Sequence, residues 1–206
     1  MNFQLFKLFP ETIAVYELTY DQKEENFVKK FKFRETDDSL NNEKANSALI
    51  TNDLYVLNKN KLLKNKLLNC VNHFIKKELG FTFDVNITTS WLTKTLPKGF
   101  SQEHTHSLSL YSGVYYPCKT EHLYHIQFLK NENDFFELSN YVKHFNHINN
   151  NLKFSVKQGT LLLFNSRLKH KVPKNETEEI RYSLAFNTMP IGHLGDKLGD
   201  SQYDFK

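Results

Sequence analysis

The spacing of apolar residues along the chain changes near residue 80. Between residues 58 and 79 they recur at helical spacing, and Gly80 follows where a helix-ending glycine is typical. Residues 21–33 show a shorter pattern of the same kind in a charged segment. This part of the chain predicts two helices, preceded by a strand within residues 3–18 that Pro10 interrupts.

After Gly80 the apolar spacing becomes two, which is typical of strands. Over residues 81–91 this alternation places Ile87 and Trp91 on the same face of one strand. Further strands are predicted at residues 101–107, 108–117, 122–129, 152–156, 160–165, 168–173 and 179–188. The pattern leaves residues 133–150 open between helix and loop, and it predicts an irregular extension after Pro190.

Many short strands after two helices predict a mainly β fold, a barrel or sandwich with helices packed on one side. The length of 206 residues is enough for one core, and we expect one domain. A hydrophobic share of 39% and an aromatic share of 14% argue against a disordered chain.

The net charge of +4 comes mainly from scattered lysines, which gives a nucleic-acid partner no specific support. No apolar run reaches the roughly 20 residues of a membrane span. Cys70 and Cys118 are the two cysteines of the sequence, and they form no recognisable motif. The N-terminus lacks a signal-like apolar segment. We therefore expect a cytoplasmic protein in a reducing compartment.

Candidate chemistry centres on histidines. His104 and His106 are two residues apart on a predicted strand, so alternation places both imidazoles on one face. This spacing alone is weak evidence for a metal, because any polar strand face produces such pairs, and a third ligand is needed. His170, within GTLLLFNSRLKHKV, offers that ligand.

Arg181 begins the last predicted strand, whose inward face by alternation is Arg181, Ser183, Ala185 and Asn187. A buried arginine is costly unless it meets an anion. We expect a carboxylate partner, and the simple alternative is a surface ion pair with Glu178 or Glu179.

These residues carry a resemblance. The chain resembles the Fe(II)- and 2-oxoglutarate-dependent oxygenases, and it is most similar to a largely uncharacterised branch of small bacterial and phage proteins. The resemblance rests on Trp91, on His104-Thr105-His106, on Ser112-Gly113-Val114-Tyr115-Tyr116, on residues 159–172, and on Arg181-Tyr182-Ser183 with Phe186-Asn187.

The resemblance implies a double-stranded β-helix, a jelly-roll barrel of the cupin kind, with helices against one sheet. Its parts would be an N-terminal strand and helices (residues 1–80), the jelly-roll core (81–190) and a C-terminal extension (191–206). His104, His106 and His170 would be the catalytic metal ligands. Arg181 would hold the far carboxylate of 2-oxoglutarate, helped by Ser183 and with Tyr116 lining the pocket.

The implied reaction uses Fe(II), 2-oxoglutarate and O2, and it couples formation of succinate to hydroxylation of a second substrate. That substrate stays open among a peptide, a nucleotide and a small metabolite, and the oligomeric state is not predicted. The resemblance places the protein in a bacterial or phage-infected cell.

One departure leaves alternatives open. The superfamily usually has a carboxylate as its third ligand, where this chain has His106. Three histidines on a barrel also suit zinc, so a metal-binding cupin-like protein that is not an oxygenase is the second hypothesis. A nucleic-acid-binding β-barrel is a weaker third, motivated by the charge and the aromatic content.

Overall fold

The computed structural model describes residue 4 and residues 11–34, 48–130, 151–195 and 200–205. Within them are twelve strands: β1 (Ile13–Glu17), β2 (Phe33–Arg34), β3 (Ala48–Thr51), β4 (Asp84–Thr95), β5 (Ser101–His104), β6 (Tyr111–Tyr115), β7 (Tyr124–Leu129), β8 (Asn151–Val156), β9 (Thr160–Asn165), β10 (Lys169–Val172), β11 (Arg181–Gly195) and β12 (Gln202–Phe205). The undecided segment 133–150 lies outside the described residues.

The two predicted helices are α1 (Gln22–Lys29) and α2 (Lys61–His73). α2 begins after Asn60, whose side-chain oxygen accepts a hydrogen bond from a main-chain N–H of the first turn at 3.1 Å. A π-helical turn, Phe74–Glu78, extends it, and Gly80 follows with a φ of +76° that favours glycine. No helix within the described ranges is long and apolar enough to cross a bilayer.

The strands form two sheets that face each other. The larger runs β1-β9-β6-β11-β4-β3-β2, with β12 paired to the far end of β11, and the smaller runs β5-β10-β7-β8. Neighbouring strands in both sheets are antiparallel. Strands that are distant in sequence lie side by side, and this double-stranded β-helix is the predicted jelly roll.

Two apolar layers hold this architecture together. Leu67 and Val71 of α2 pack with Leu184 and Phe186 of β11, so the helices cover the outer face of the larger sheet. A second cluster, which includes Phe164 of β9, fills the space between the two sheets. The prediction of helices packed against one sheet is confirmed.

Gly113 explains one feature of the SGVYY stretch. It lies on β6 opposite Phe186 of β11, and a Cβ at this position would overlap the Phe186 ring. Only glycine lets the buried ring lie against the strand, so this glycine is required by packing.

A bulge on β4 changes which face its side chains occupy. Asn187 of β11 pairs with Thr89 of β4, and the next residue of β11, Thr188, pairs with Ile87. Thr88 is therefore an extra residue on β4, which pairs with no residue of β11. Leu92 therefore joins Ile87 in the helix-side core, whereas Trp91 packs with the cluster between the sheets. The prediction that Trp91 shares a face with Ile87 is wrong, because strict alternation does not allow for an inserted residue.

The expectation of an irregular extension after Pro190 is also wrong where the structure describes it. β11 continues to Gly195, and its last residues pair with β12, from Gly192 opposite Phe205 to Gly195 opposite Gln202. These residues are largely exposed and form strands because their main chains pair with each other, which an apolar pattern does not reveal.

Candidate functional site

The three predicted histidines meet at one end of the space between the sheets. His104 is the last residue of β5 and lies opposite His170 of β10. His106 lies two residues beyond the end of β5, where its main-chain N–H donates to the carbonyl oxygen of Ser166 at 2.8 Å. The predicted strand 101–107 therefore ends early, and the loop after β5, not alternation along one strand, places His106.

The imidazole rings are close enough to share one ion. The ring centroids of His104 and His170 are 4.3 Å apart, those of His106 and His170 are 5.1 Å apart, and those of His104 and His106 are 5.4 Å apart. One ring nitrogen from each lies within 4.8 Å of the other two. Three imidazole nitrogens at this spacing are a donor set that suits a divalent transition metal.

Hydrogen bonds indicate which ring nitrogen is free. Nδ1 of His104 lies 2.8 Å from the carbonyl oxygen of Gln102, and Nδ1 of His170 lies 3.0 Å from that of Leu168. A carbonyl oxygen only accepts, so Nδ1 donates in both rings, and Nε2 is the atom that could serve as a ligand. Nδ1 of His106 has a side-chain partner instead, the Asn187 Oδ1 atom at 2.7 Å.

Burial keeps two of the rings neutral. The pKa of His170 is lowered to about 3, mainly by desolvation and also by the neighbouring His104 and His106. Desolvation also lowers the pKa of His106, partly offset by its hydrogen bond to Asn187. Neutral imidazole is the form that binds a metal, so these rings do not have to lose a proton at neutral pH.

Arg181 is buried, with 3% of its surface exposed, and faces the same interior. Its Nη1 donates to the carbonyl oxygen of His125 at 2.9 Å and its Nη2 to the hydroxyl of Tyr116 at 3.1 Å. The guanidinium also lies over the rings of Tyr116 and Tyr124, whereas its buried Nε has no hydrogen-bond partner among the residues that the structure describes. A buried cation with an unsatisfied N–H is costly, so this arrangement is suited to binding an anion.

The alternative partner, Glu179, is engaged elsewhere. Its carboxylate accepts from Thr120 Oγ1 at 2.9 Å and from the Tyr124 hydroxyl at 3.2 Å. Across the part of the chain that the structure describes, no carboxylate oxygen lies within 4.0 Å of Arg181. The described structure contains no surface ion pair at this arginine.

One cavity of about 340 Å³ brings the predicted residues together. It is lined by all six: His104, His106, His170, Arg181, Ser183 and Tyr116. Its volume lies within the roughly 300–1,000 Å³ that is typical of small-molecule sites. The three histidines and the buried guanidinium therefore face the same space.

A wider depression of about 620 Å³ lies beside this cavity, lined by residues that include Phe100, Gln127, Lys171 and Lys174. It shares only residues 101–103 and Val172 with the smaller cavity and contains none of the six predicted residues. The chemistry of the lining residues favours the smaller cavity as the functional site.

The sequence did not assign a role to several residues at this site. Trp91, turned inward by the bulge, lines the cavity with its ring centroid 5.5 Å from that of His106. Ala48 and Ile50 of β3 line it too, although nothing in their local pattern indicates this. Alternation placed Asn187 on the inward face, but only the structure shows it bonded to His106.

Fold and site together define a double-stranded β-helix protein with three clustered histidines and a buried arginine that has no carboxylate partner among the described residues. Residues 89–187 match the model of a family described as "Putative 2OG-Fe(II) oxygenase". The matched stretch contains Trp91 and all six predicted site residues. No curated protein sequence matches the chain.

Solved structures of the same fold include three whose names state an activity or a ligand. An oxidoreductase of the 2OG-Fe(II) oxygenase family from Burkholderia pseudomallei is 11% identical, with a TM-score of 0.56 and coverage of 85% of this chain and 83% of that one. HygX from Streptomyces hygroscopicus, solved with nickel, 2-oxoglutarate and hygromycin B, is 12% identical, with a TM-score of 0.58 and coverage of 87% and 83%. A Pseudomonas putida prolyl-4-hydroxylase is 12% identical, with a TM-score of 0.51 and coverage of 86% and 92%.

At these identities the structural neighbours establish the fold, and the family match adds the class. The family match over residues 89–187, together with the shared fold, indicates an Fe(II)- and 2-oxoglutarate-dependent oxygenase, which is an oxidoreductase. The closer resemblance to a bacterial and phage branch stays a prediction.

Proposed function

We propose that His104, His106 and His170 hold one Fe(II) ion and that Arg181, with Tyr116 and Ser183, binds the far carboxylate of 2-oxoglutarate. The observation that carries this proposal is the buried Arg181, which shares one cavity with the three-histidine cluster. Within the described part of the chain, its Nε has no hydrogen-bond partner. When bound, iron supplies the redox chemistry by which O2 oxidises 2-oxoglutarate to succinate and CO2 and also oxidises the second substrate.

Charge balance supports this assignment. Three neutral imidazoles leave the ion at about +2, and the 2-oxoglutarate dianion brings the whole to about zero. Arg181 adds one positive charge, so the loaded cavity carries about +1 in all. A zinc protein that lacks a cosubstrate does not account for a buried guanidinium beside the histidines, and this makes the second hypothesis less favourable.

Arg181 has the surroundings of an anion-orienting group. Its contacts with the His125 carbonyl oxygen and the Tyr116 hydroxyl hold the guanidinium in place, and its exposed fraction of 3% keeps water from competing. Ser183, two residues further along β11, lines the same cavity and offers a hydroxyl to the same carboxylate. A rigid arginine that is already desolvated loses little entropy on binding.

The second substrate would enter on the side formed by β3 and β4, where Trp91 lies beside His106. Ala48, Ile50 and Thr93 extend this wall, which is mainly apolar. An apolar or planar group of the substrate would pack here against the indole. The proposed outcome is hydroxylation of a peptide, a nucleotide or a small metabolite.

Anaerobic addition of Fe(II) and 2-oxoglutarate to the protein is expected to produce the visible charge-transfer band of a 2-oxo acid bound at Fe(II). Admission of O2 should then yield succinate, measured by chromatography. Arg34→Ala, at an exposed position of β2, is expected to leave both signals unchanged. Absence of both band and succinate, or one equivalent of zinc that resists exchange, would contradict the proposal.

Trp91 is the single tryptophan of the chain, so its emission reports on this cavity alone. Binding of Fe(II) or Ni(II) is expected to quench that emission, because the indole lies next to His106, with 5.5 Å between the ring centroids. A fluorescence titration, with calorimetry on the same samples, checks this. Emission that stays constant while calorimetry shows metal binding would place the ion elsewhere, and excess chelator should restore the signal.

A further inference from the structure

A row of polar side chains lies behind His106. Asn187 Oδ1 is 2.7 Å from His106 Nδ1 and 2.9 Å from Ser112 Oγ. Ser112 Oγ is in turn 2.7 Å from Ser166 Oγ, which is 2.7 Å from Ser109 Oγ. Ser112 and Ser166 have no exposed surface. The row connects one candidate metal ligand, through Ser112 of β6 and Ser166, to Ser109 in the loop before β6.

We propose that Asn187 is a positioning residue for His106. Its carboxamide oxygen holds the imidazole in the tautomer that carries the proton on Nδ1, which leaves Nε2 as the ligand atom. The proposal rests on the proposed function for the identity of the ion, but the tautomer itself is measurable without any ion.

His106 needs this partner because of where it lies. His104 and His170 are strand residues, and each directs Nδ1 at a main-chain carbonyl two residues earlier. His106 follows the end of β5, and its Nδ1 meets a side chain instead. The hydrogen-bond partner of one ring nitrogen determines whether the other nitrogen carries a proton. Asn187 therefore fixes the tautomer of His106, as main-chain carbonyl oxygens fix those of His104 and His170.

A carboxamide presents either its oxygen or its NH2 group, so its orientation must be fixed as well. Ser112 lies directly opposite Asn187 in the pairing of β6 with β11, and its hydroxyl donates to the same oxygen that His106 contacts. Ser112 itself contacts Ser166, away from water. With the Ser112 hydroxyl as the donor to Asn187, the carboxamide oxygen is the atom that faces His106.

The choice of an amide has a chemical consequence. A neutral acceptor fixes the tautomer without adding charge, so the three-imidazole set keeps the ion at about +2. A carboxylate at position 187 would keep the acceptor but place a negative charge behind the ligand. Asn187→Asp should therefore preserve the tautomer, whereas Asn187→Leu, which is similar in size, removes the acceptor.

The tautomer is read by long-range ¹H–¹⁵N NMR of metal-free protein with labelled histidines. His106 in the native protein is expected to carry its proton on Nδ1, and so is His106 in Asn187→Asp. Asn187→Leu should show His106 with substantial Nε2 protonation. Asn72→Leu, the same substitution on α2, is the matched control and should leave the His106 signals as in the native protein.

A second arm measures Ni(II) affinity through Trp91 emission. Loss of the group that orients a ligand typically costs about 10- to 100-fold in metal affinity, so that loss is expected for Asn187→Leu. Asn187→Asp should remain within about tenfold of the native protein. Ser112→Ala, which keeps Asn187 but removes the hydroxyl that orients it, should show a mixture of both His106 tautomers and provides a test if Asn187→Leu does not fold.

The inference is overturned if native His106 carries its proton on Nε2, since the carboxamide would then present its NH2 group. It is also overturned if Asn187→Leu leaves the His106 tautomer or the Ni(II) affinity unchanged. An Nδ1 proton that depends on Asn187, in a protein that binds neither Fe(II) nor Ni(II), would instead reject the proposed function. The two failures are therefore distinguishable.

Discussion

Arg181→Met is expected to weaken binding of 2-oxoglutarate to the metal-loaded protein by on the order of 100-fold or more. Removing one partner of a buried, hydrogen-bonded charge pair costs enough free energy for such a loss. Methionine keeps most of the side-chain volume and removes the only buried cation described beside this cavity. Calorimetric titration of 2-oxoglutarate into the Ni(II)-loaded protein measures the change.

The same substitution should not reduce the stability of the metal-free protein. A buried charge without an anion costs free energy, so replacing Arg181 by an apolar side chain is expected to leave the thermal midpoint unchanged or raised. Arg181→Lys keeps the charge but loses the planar guanidinium that can bind a carboxylate through two N–H groups. Its affinity for 2-oxoglutarate is expected to lie between those of the native protein and Arg181→Met. Native-like 2-oxoglutarate affinity in Arg181→Met would remove this arginine from the site.

His104→Ala is expected to lower affinity for Fe(II) and Ni(II) by more than about 100-fold. Loss of an orienting partner alone typically costs about 10- to 100-fold, and loss of a ligand should cost more. His104 is exposed, so its truncation leaves no core cavity, and circular dichroism should show a native fold. Quenching of Trp91 under anaerobic conditions gives the affinity.

His170→Ala tests the buried side of the same cluster. It should abolish metal binding as well, but His170 packs against Phe128 and Phe164, so some loss of stability is also expected. His73→Ala, on the exposed side of α2, is the matched control and should bind the metal as the native protein does. Unchanged affinity in His104→Ala would contradict the three-histidine site.

Some parts of the fold could be predicted because their signals are local. The apolar spacing of α2 and the glycine after it determine a helix by themselves, and the short strands follow from alternation and turn residues. The cost of burying a lone guanidinium is the local reason for expecting an anion at Arg181, and that anion stays a prediction. His104, His106 and His170 were grouped by resemblance, and they do lie within one cluster.

Other features depend on contacts between distant segments. Alternation assumes an unbroken strand, so it did not reveal that β5 ends at His104 or that Thr88 is an extra residue on β4. These two irregularities place His106 and Trp91 beside each other in the cavity. Both are irregularities of main-chain pairing between strands, and single-strand periodicity contains no information about pairing.

The sequence by itself determined the mainly β class, the supporting helices, and a set of candidate residues for binding a metal and an anion. Only the tertiary structure decided that Arg181 has no carboxylate neighbour within the described residues and that Asn187 lies behind His106. The physical reason is that side-chain chemistry belongs to each residue. Burial, partners and tautomers, in contrast, depend on segments that only the folded barrel brings together.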